Sequence, residues 1–315
     1  MKVLYIVGFG RSGSTLLERM LGAIPGFHNA GELVGLFPRV ALQDQRCGCG
    51  QAFSVCPFWQ AVGGHGNGGW DRSVVQRVAD LQPQVIRQRF IPYLLEPRTA
   101  PVRFRRLLSE YVEAYRVLYA SLAEVSDARV LVDASKSTAQ LFAMRQVPEL
   151  DLRVLNLVRD SRGVAHSWSK SSIPMPQIHD RKVLMRTYTP QHVAMLWSAL
   201  QLESTVLRAM APHSGRIRYE DLIANPRRTL EHALASVDLP AQAGWLDHVE
   251  DRSVTLESSH GIAGSRSRFT TGRVDLQLDD DWRSSLAPSK RRLVTALTLP
   301  QLISHGYVGR PKVGT

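Results

Sequence analysis

Val3-Leu4-Tyr5-Ile6-Val7-Gly8-Phe9-Gly10-Arg11-Ser12-Gly13-Ser14-Thr15-Leu16-Leu17-Glu18-Arg19-Met20-Leu21 is the stretch whose reading decides the fold. Residues 3–7 are apolar throughout and read as a buried strand, and residues 16–21 read as a helix. Between them, Gly8 and Gly13 have the spacing of the nucleotide-binding pattern G-x-x-x-x-G-K-[ST], but Ser14 stands where that pattern has lysine. The lysine of the pattern reaches the β- and γ-phosphates. A loop that keeps the backbone cradle and drops the lysine suits a nucleotide with a shorter 5′ group, with Arg11 supplying positive charge. Backbone N–H groups at the start of the helix make an anion site, and Ser12, Ser14 and Thr15 add hydroxyl donors. Taken alone, the stretch is also compatible with a plain Gly/Ser turn.

Working outward, four more apolar runs read as strands: 27–30, 129–132 ending at Asp133, 153–158 ending at Arg159, and 216–219. Helical periodicity marks 107–125, 137–147, 161–171 and 190–210, and returns over 279–304. Strands alternating with helices predict an α/β chain: a P-loop-containing, three-layer α/β/α fold around a mostly parallel central sheet. Ligands in such sheets bind at the carboxyl ends of the strands. We expect a single domain over 1–315, with an irregular insertion at 37–105. That insertion holds Gly63-Gly64-His65-Gly66-Asn67-Gly68-Gly69 and several prolines. A second irregular segment, 173–177, precedes a basic stretch ending near Tyr188. These loops are expected to cover a substrate site.

The 315 residues carry a net charge of +11 and 44% hydrophobic residues, enough for a substantial core. No apolar run approaches the ~20 residues of a membrane span, and the start of the chain has no leader pattern. A soluble, cytoplasmic protein is expected. The arginines are scattered or sit at strand ends, not in basic runs. That favours a small polyanionic ligand over nucleic acid. All three cysteines lie in Cys47-Gly-Cys49-Gly-Gln-Ala-Phe-Ser-Val-Cys56. They read as free thiols in a small packed loop, with no metal expected. The alternative is a zinc site short of one ligand, completed by His65.

Two further segments carry candidate chemistry. In Leu157-Val158-Arg159-Asp160-Ser161-Arg162-Gly163-Val164-Ala165-His166-Ser167, a strand ends in Arg159, and Ser167 faces back toward the same region. Together they can hold a second phosphate through the planar donor fork of arginine. The competing reading pairs Arg159 with Asp160. His260-Gly261-Ile262-Ala263-Gly264-Ser265-Arg266-Ser267-Arg268-Phe269 is a basic loop able to fold over a nucleotide, or simply a solvated one.

Together the three segments resemble the sulfotransferases that use 3′-phosphoadenosine 5′-phosphosulfate (PAPS). Residues 11–17 look like the family's 5′-phosphosulfate loop, and Val158-Arg159-Asp160 with Ser167 looks like its 3′-phosphate element. Residues 260–269 are similar to its closing loop, with Gly264-Ser265-Arg266 where the family carries Gly-Asn-Pro. The stretch 47–59 looks like a feature of bacterial members. The resemblance implies PAPS as sulfuryl donor, a hydroxyl-bearing acceptor and no metal. It implies nucleotide contacts from Arg11, Ser12, Gly13, Ser14, Thr15, Arg159, Ser167, Tyr219, Gly264, Ser265 and Arg268. The spacing from Arg11 to Gly31-Glu32 is similar to the tyrosylprotein branch, which makes Glu32 the general base. Lys136 matches the lysine beside the bridging oxygen. Glu32 could instead cap a helix, and Lys136 could be a solvated first-turn residue. His260, His166 and His28 are alternative bases. Asp133 could mimic a Mg²⁺ ligand. The rival functions are a P-loop kinase or NTPase and a nucleotide-binding protein without catalysis.

Overall fold

The computed structural model describes residues 1–170 and 186–309; the segment 173–177, and most of the basic stretch after it that was expected to help cover the substrate site, lie outside the described residues. The chain opens with β1 (Lys2–Gly8), α1 (Ser14–Gly22) and β2 (Phe27–Gly31). Four helices come next: α2 (Pro57–Asn67), α3 (Arg72–Val85), α4 (Ile91–Leu95) and the long α5 (Val102–Ser126). The sheet resumes with β3 (Val130–Lys136), α6 (Thr138–Met144), β4 (Asp151–Val158), α7 (Ser161–Ser169), α8 (Pro190–Met210) and β5 (Ser214–Arg218). Then come α9 (Tyr219–Ala224), α10 (Pro226–Ser236), a small antiparallel pair β6 (Ser253–Leu256) and β7 (Gly272–Asp275), α11 (Trp282–Ser285) and α12 (Pro288–Ser304).

The central sheet has the order β2-β3-β1-β4-β5, and every pairing is parallel. The expected three-layer α/β/α architecture is the one the chain adopts. Side chains alternate across each strand. Val3, Tyr5 and Val7 of β1 face a core built with α2, α3, α5 and α6. Leu4 and Ile6 face a core built with α1, α9 and α10. Burial on both faces explains why the strands read as continuous apolar runs. Beyond Val158, a third cluster packs α7, α8 and α12 around Trp197.

The differences from expectation have local causes. β3 does not stop at Asp133 but runs on to Lys136. Asp133 is fully buried and satisfied there: it accepts from the Tyr119 hydroxyl, the Ser135 hydroxyl and the Ser135 N–H. This removes it as a Mg²⁺ ligand; burial pushes its carboxyl up to about 6. Tyr219 opens α9 and does not end the preceding strand. Residues 37–105, expected to be irregular, hold three helices and bury Phe53, Trp59, Val78 and Leu81 in the main core. The glycine-rich run is helical as far as Asn67. A Cβ on Gly66 would lie 2.7 Å from the Ser121 hydroxyl of α5, so the small residue permits close helix packing.

The end of β2 makes a contact that positions the 260–264 loop. Gly31 has φ 84°, and a Cβ there would collide with the backbone of Ile262. Ile262 N–H donates to the Ala30 carbonyl (3.2 Å), and Glu32 N–H donates to the Ile262 carbonyl (2.9 Å), so residues 260–264 dock on the strand end. Gly31→Ala is expected to lower stability by more than about 2 kcal/mol, because it adds left-handed strain to a backbone clash. Urea unfolding checks this; an unchanged midpoint would mean that the docked loop moves aside at little cost.

Candidate functional site

The carboxyl ends of β1, β2, β3 and β4 meet at one edge, and the loops leaving them supply the site. Gly13 caps α1 in a left-handed conformation, and its Cα lies against the Tyr219 ring; a Cβ would come within 2.6 Å of that ring. No side chain caps α1, so the first N–H groups of the helix remain available to an anion. Ser12 is buried, and its hydroxyl has no hydrogen-bond partner. An orphaned donor inside an anion-type loop fits a phosphate oxygen.

Arg11 and Ser167 are brought together as expected: Arg11 Nε donates to Ser167 Oγ at 3.0 Å. Arg159 reaches the same place and donates to the Arg11 carbonyl at 2.8 Å. Arg159 does not pair with Asp160. Asp160 caps α7 and binds Arg162, while Arg159 pairs with Asp279 at 2.9 Å and stacks over the Tyr219 ring at 4.6 Å. Burial and neighbouring Arg159 pull the Arg11 guanidinium down from its ordinary value. Two such cations held side by side attract an anion. Trp168 braces the loop by donating to the Gly10 carbonyl at 3.0 Å.

On the β2–β3 side, Lys136 and Glu32 form an ion pair, and Arg39 lies 3.6 Å from the other carboxylate oxygen. Lys136 has φ 62°, a rare conformation for a residue with a side chain, and its Nζ also donates to the Ala134 carbonyl at 3.1 Å. Glu32 therefore pairs with cations and makes no side-chain cap, and Lys136 ends a strand instead of opening a helix. Gly264 stands between the two halves of the site: a Cβ there would lie 3.0 Å from Thr15 Oγ1 and 3.7 Å from Glu32 Oε1. Ser265 N–H donates to Thr15 Oγ1 at 3.2 Å. The phosphate-type loop, the acid–lysine pair and the 260–269 loop are thus contiguous.

Arg268 does not fit its expected role. Its guanidinium is turned inward, donating to the carbonyls of Ala263 (2.6 Å) and Arg46 (3.0 Å), and burial pulls it down to about 10. It secures the loop. Arg19 was not anticipated and acts in the same way, donating to the carbonyls of Ser267 (2.7 Å) and Glu257 (2.8 Å). Asp279 and Arg39 were also missed. Arg39 lies seven residues beyond Glu32, a helical spacing that was a usable signal; Asp279 carries none. His260 and His28 sit apart from the acid–lysine pair, stacked on either side of Phe58 at 4.6 and 4.8 Å. His260 Nδ1 lies 3.5 Å from Cys47 Sγ and 3.4 Å from Cys56 Sγ. His65 is exposed on α2 and is not part of that cluster. His166 lies on α7 near Asp279 and Lys170.

The sequence profile of the sulfotransferase family matches residues 4–54, which span β1, the anion loop and Glu32. The resemblance to the sulfotransferases is borne out. Among solved structures, the sulfotransferase domain of the Synechococcus PCC 7002 olefin synthase aligns over 99% of this chain and 96% of its own, with TM-score 0.53 and 18% identity. The sulfotransferase domain of the curacin biosynthetic pathway aligns over 94% and 96%, with TM-score 0.50 and 16% identity. Both establish likeness of fold. No curated protein sequence matches the chain. Among the described residues, no helix of this sulfotransferase-like chain is long and apolar enough to cross a membrane.

Glu18, one turn into α1, is a buried carboxyl with one oxygen unpartnered. Burial pushes it up to about 8, with Lys136 opposing and Glu32 reinforcing the shift. An unfolded glutamate releases its proton near ~4.3. The folded state thus holds the proton over a range where the unfolded state does not, and stability falls as pH rises from about 4.3 to about 8. Glu18→Gln should match the parent near pH 4 and exceed it by a few kcal/mol at about pH 8. Urea midpoints across that range test this; a constant difference would show that Glu18 is ionised in the fold.

Proposed function

We propose that the chain transfers a sulfuryl group from PAPS to a hydroxyl of an acceptor by in-line attack. The observation that carries this reading is the pairing of two anion-type subsites at one sheet edge, with Glu32–Lys136 beside them. The loop 8–15, its orphaned Ser12 hydroxyl and the start of α1 suit the 5′-phosphosulfate. Arg159 and Ser167, bonded to the loop through Arg11, suit the 3′-phosphate. Tyr219 offers a ring beside both, and Gly264 and Ser265 offer backbone close to Thr15. Ser14 in place of the lysine speaks against a kinase or NTPase, and so does Asp133, whose carboxylate is satisfied internally and not offered to Mg²⁺.

In this reading Glu32 takes the acceptor proton as the acceptor oxygen bonds to sulfur. The bond from sulfur to the bridging oxygen of the donor breaks, and 3′-phosphoadenosine 5′-phosphate leaves. Lys136 stabilises the charge that grows on that bridging oxygen. Arg39 holds the second carboxylate oxygen and so orients the base. The segment 37–105 is proposed to shape the acceptor site. The three cysteines form no disulfide, which fits a reducing compartment, the cytoplasm.

The test is release of 3′-phosphoadenosine 5′-phosphate from PAPS in the presence of a panel of sugars, phenols, alcohols and tyrosine peptides. Acceptor-dependent release supports the proposal. PAPS binding with no release for any acceptor favours a binding protein, and Mg²⁺-dependent ATP hydrolysis favours the NTPase. Arg159→Ala should weaken 3′-phosphoadenosine 5′-phosphate by about 10–100-fold, the worth of one charged hydrogen bond, with a much smaller loss for adenosine 5′-phosphosulfate. Calorimetry on both ligands decides; equal losses would sink the 3′-phosphate role. Glu32→Gln should lower turnover by roughly 10²–10⁴ while nucleotide binding persists. Undiminished turnover would exclude Glu32 as the base.

A further inference from the structure

The cysteine cluster stands apart from the residues of sulfuryl transfer. Cys47, Cys49, Cys56 and His260 bring one ligand atom each within 4.8 Å of one another. Cys49 Sγ lies 3.7 Å from Cys56 Sγ, and His260 Nδ1 lies 3.5 and 3.4 Å from the sulfurs of Cys47 and Cys56. A tetrahedral zinc ion with Zn–S near 2.3 Å and Zn–N near 2.0–2.1 Å requires S···S of about 3.8 Å and S···N of about 3.5 Å. These three pairs have such separations, and the remaining pairs lie within 4.8 Å. The sulfurs are well beyond the ~2.05 Å of a disulfide bond.

We propose that Cys47, Cys49, Cys56 and His260 bind one structural Zn²⁺. The ligands come from two directions. Cys47 and Cys49 lie in a tight turn closed by Cys47 N–H to the Gln51 carbonyl (2.8 Å) and Gly50 N–H to the Cys47 carbonyl (2.9 Å), with an antiparallel bridge between Arg46 and Ala52. Cys56 stands at the start of α2. His260 arrives from the far loop and is already held in place. Its ring stacks on Phe58, its carbonyl accepts from Trp59 Nε1 at 3.0 Å, and Gly48 N–H donates to the next carbonyl, Gly261, at 3.0 Å.

Without a cation the cluster is a poor arrangement. Burial pushes the Cys47 and Cys56 thiols up, so they stay neutral and make only weak sulfur hydrogen bonds. Burial also pulls His260 down, which keeps its imidazole neutral and able to ligate. A divalent cation reverses the balance for the thiols and converts the contacts into coordinate bonds. Three sulfurs and one imidazole nitrogen in a tetrahedron select zinc among the common divalent ions. All four positions are filled by protein, which makes the site structural and not catalytic. Its effect is mechanical: it ties the insertion to residue 260, four residues before Gly264 meets Thr15 and Glu32. His260 is thereby removed from the candidate bases.

Metal analysis of the full chain, purified without chelator or metal-affinity resin, is expected to find about one zinc per chain, as in closed four-ligand sites. Mercurial titration of the thiols should release that zinc to a chromogenic chelator. Protein prepared with Co²⁺ should show a thiolate charge-transfer band and the intense visible bands of a tetrahedral site. Cys49→Ser and His260→Ala should each lose zinc or bind it far more weakly. If those variants fail to fold, the stoichiometry and cobalt spectrum of the parent still decide. Substoichiometric zinc with three titratable thiols, a Cys49–Cys56 disulfide in the intact mass, or full zinc retention in the folded variants would overturn the proposal. None of these readouts depends on the donor or acceptor of the transfer reaction.

Discussion

The site is assembled around the approach of Ile262 to Gly31, a contact that only a residue without a side chain allows. Two backbone hydrogen bonds make residue 262 a short extension of the sheet beyond β2. Once that contact forms, the rest of the loop has little freedom. Gly264 falls beside Thr15 and Glu32, Ser265 bonds Thr15, and Arg268 turns inward to Ala263 and Arg46. Arg19 fixes the exit of the loop through the carbonyls of Ser267 and Glu257. Arg268, expected to contact the nucleotide, and Arg19, which was not anticipated, both serve as backbone clamps. Arginine suits this task because its donors fan out in one plane.

The same edge gathers charge in a partly dry setting, where unpaired ions are costly. Each charge there has an answer. Glu32 meets Lys136 and Arg39, Arg159 meets Asp279, and Asp133 is surrounded by hydroxyls and an amide. Glu18 finds too few partners and holds its proton instead. An anion that enters the Arg159 corner therefore competes with Asp279 for a guanidinium already desolvated by the fold.

The strands were legible because a sheet covered on both faces leaves uninterrupted apolar runs, and the loop at 8–15 was legible from its glycine spacing. Arg159 and Ser167 could be named from a strand end and the helix that follows it, whereas Glu32 and Lys136 were named only through the resemblance to the sulfotransferases. What escaped had no local signal. Asp133 looked like a strand terminus, since nothing nearby in sequence announces that Tyr119 will satisfy it. β7 is short and mostly exposed, so its alternation is weak. His65 looked like the natural companion of the cysteines because it is close in sequence, but α2 carries it to the surface while His260 arrives from two hundred residues away. The 37–105 helices were hidden by glycines and prolines whose effect on helix propensity is outweighed by the core they help bury.

The separations along the chain have a kinetic meaning. Arg11 and Ser167 are 156 residues apart, Lys136 and Glu32 are 104 apart, and Arg19 and Ser267 are 248 apart. Closing such loops costs entropy that grows only with the logarithm of their length, but chains dominated by distant contacts fold slowly. No hairpin or helix pair contains even half of the charged edge. The sheet can pair strand by strand before any of these side chains meet, so the constellation has no early precursor.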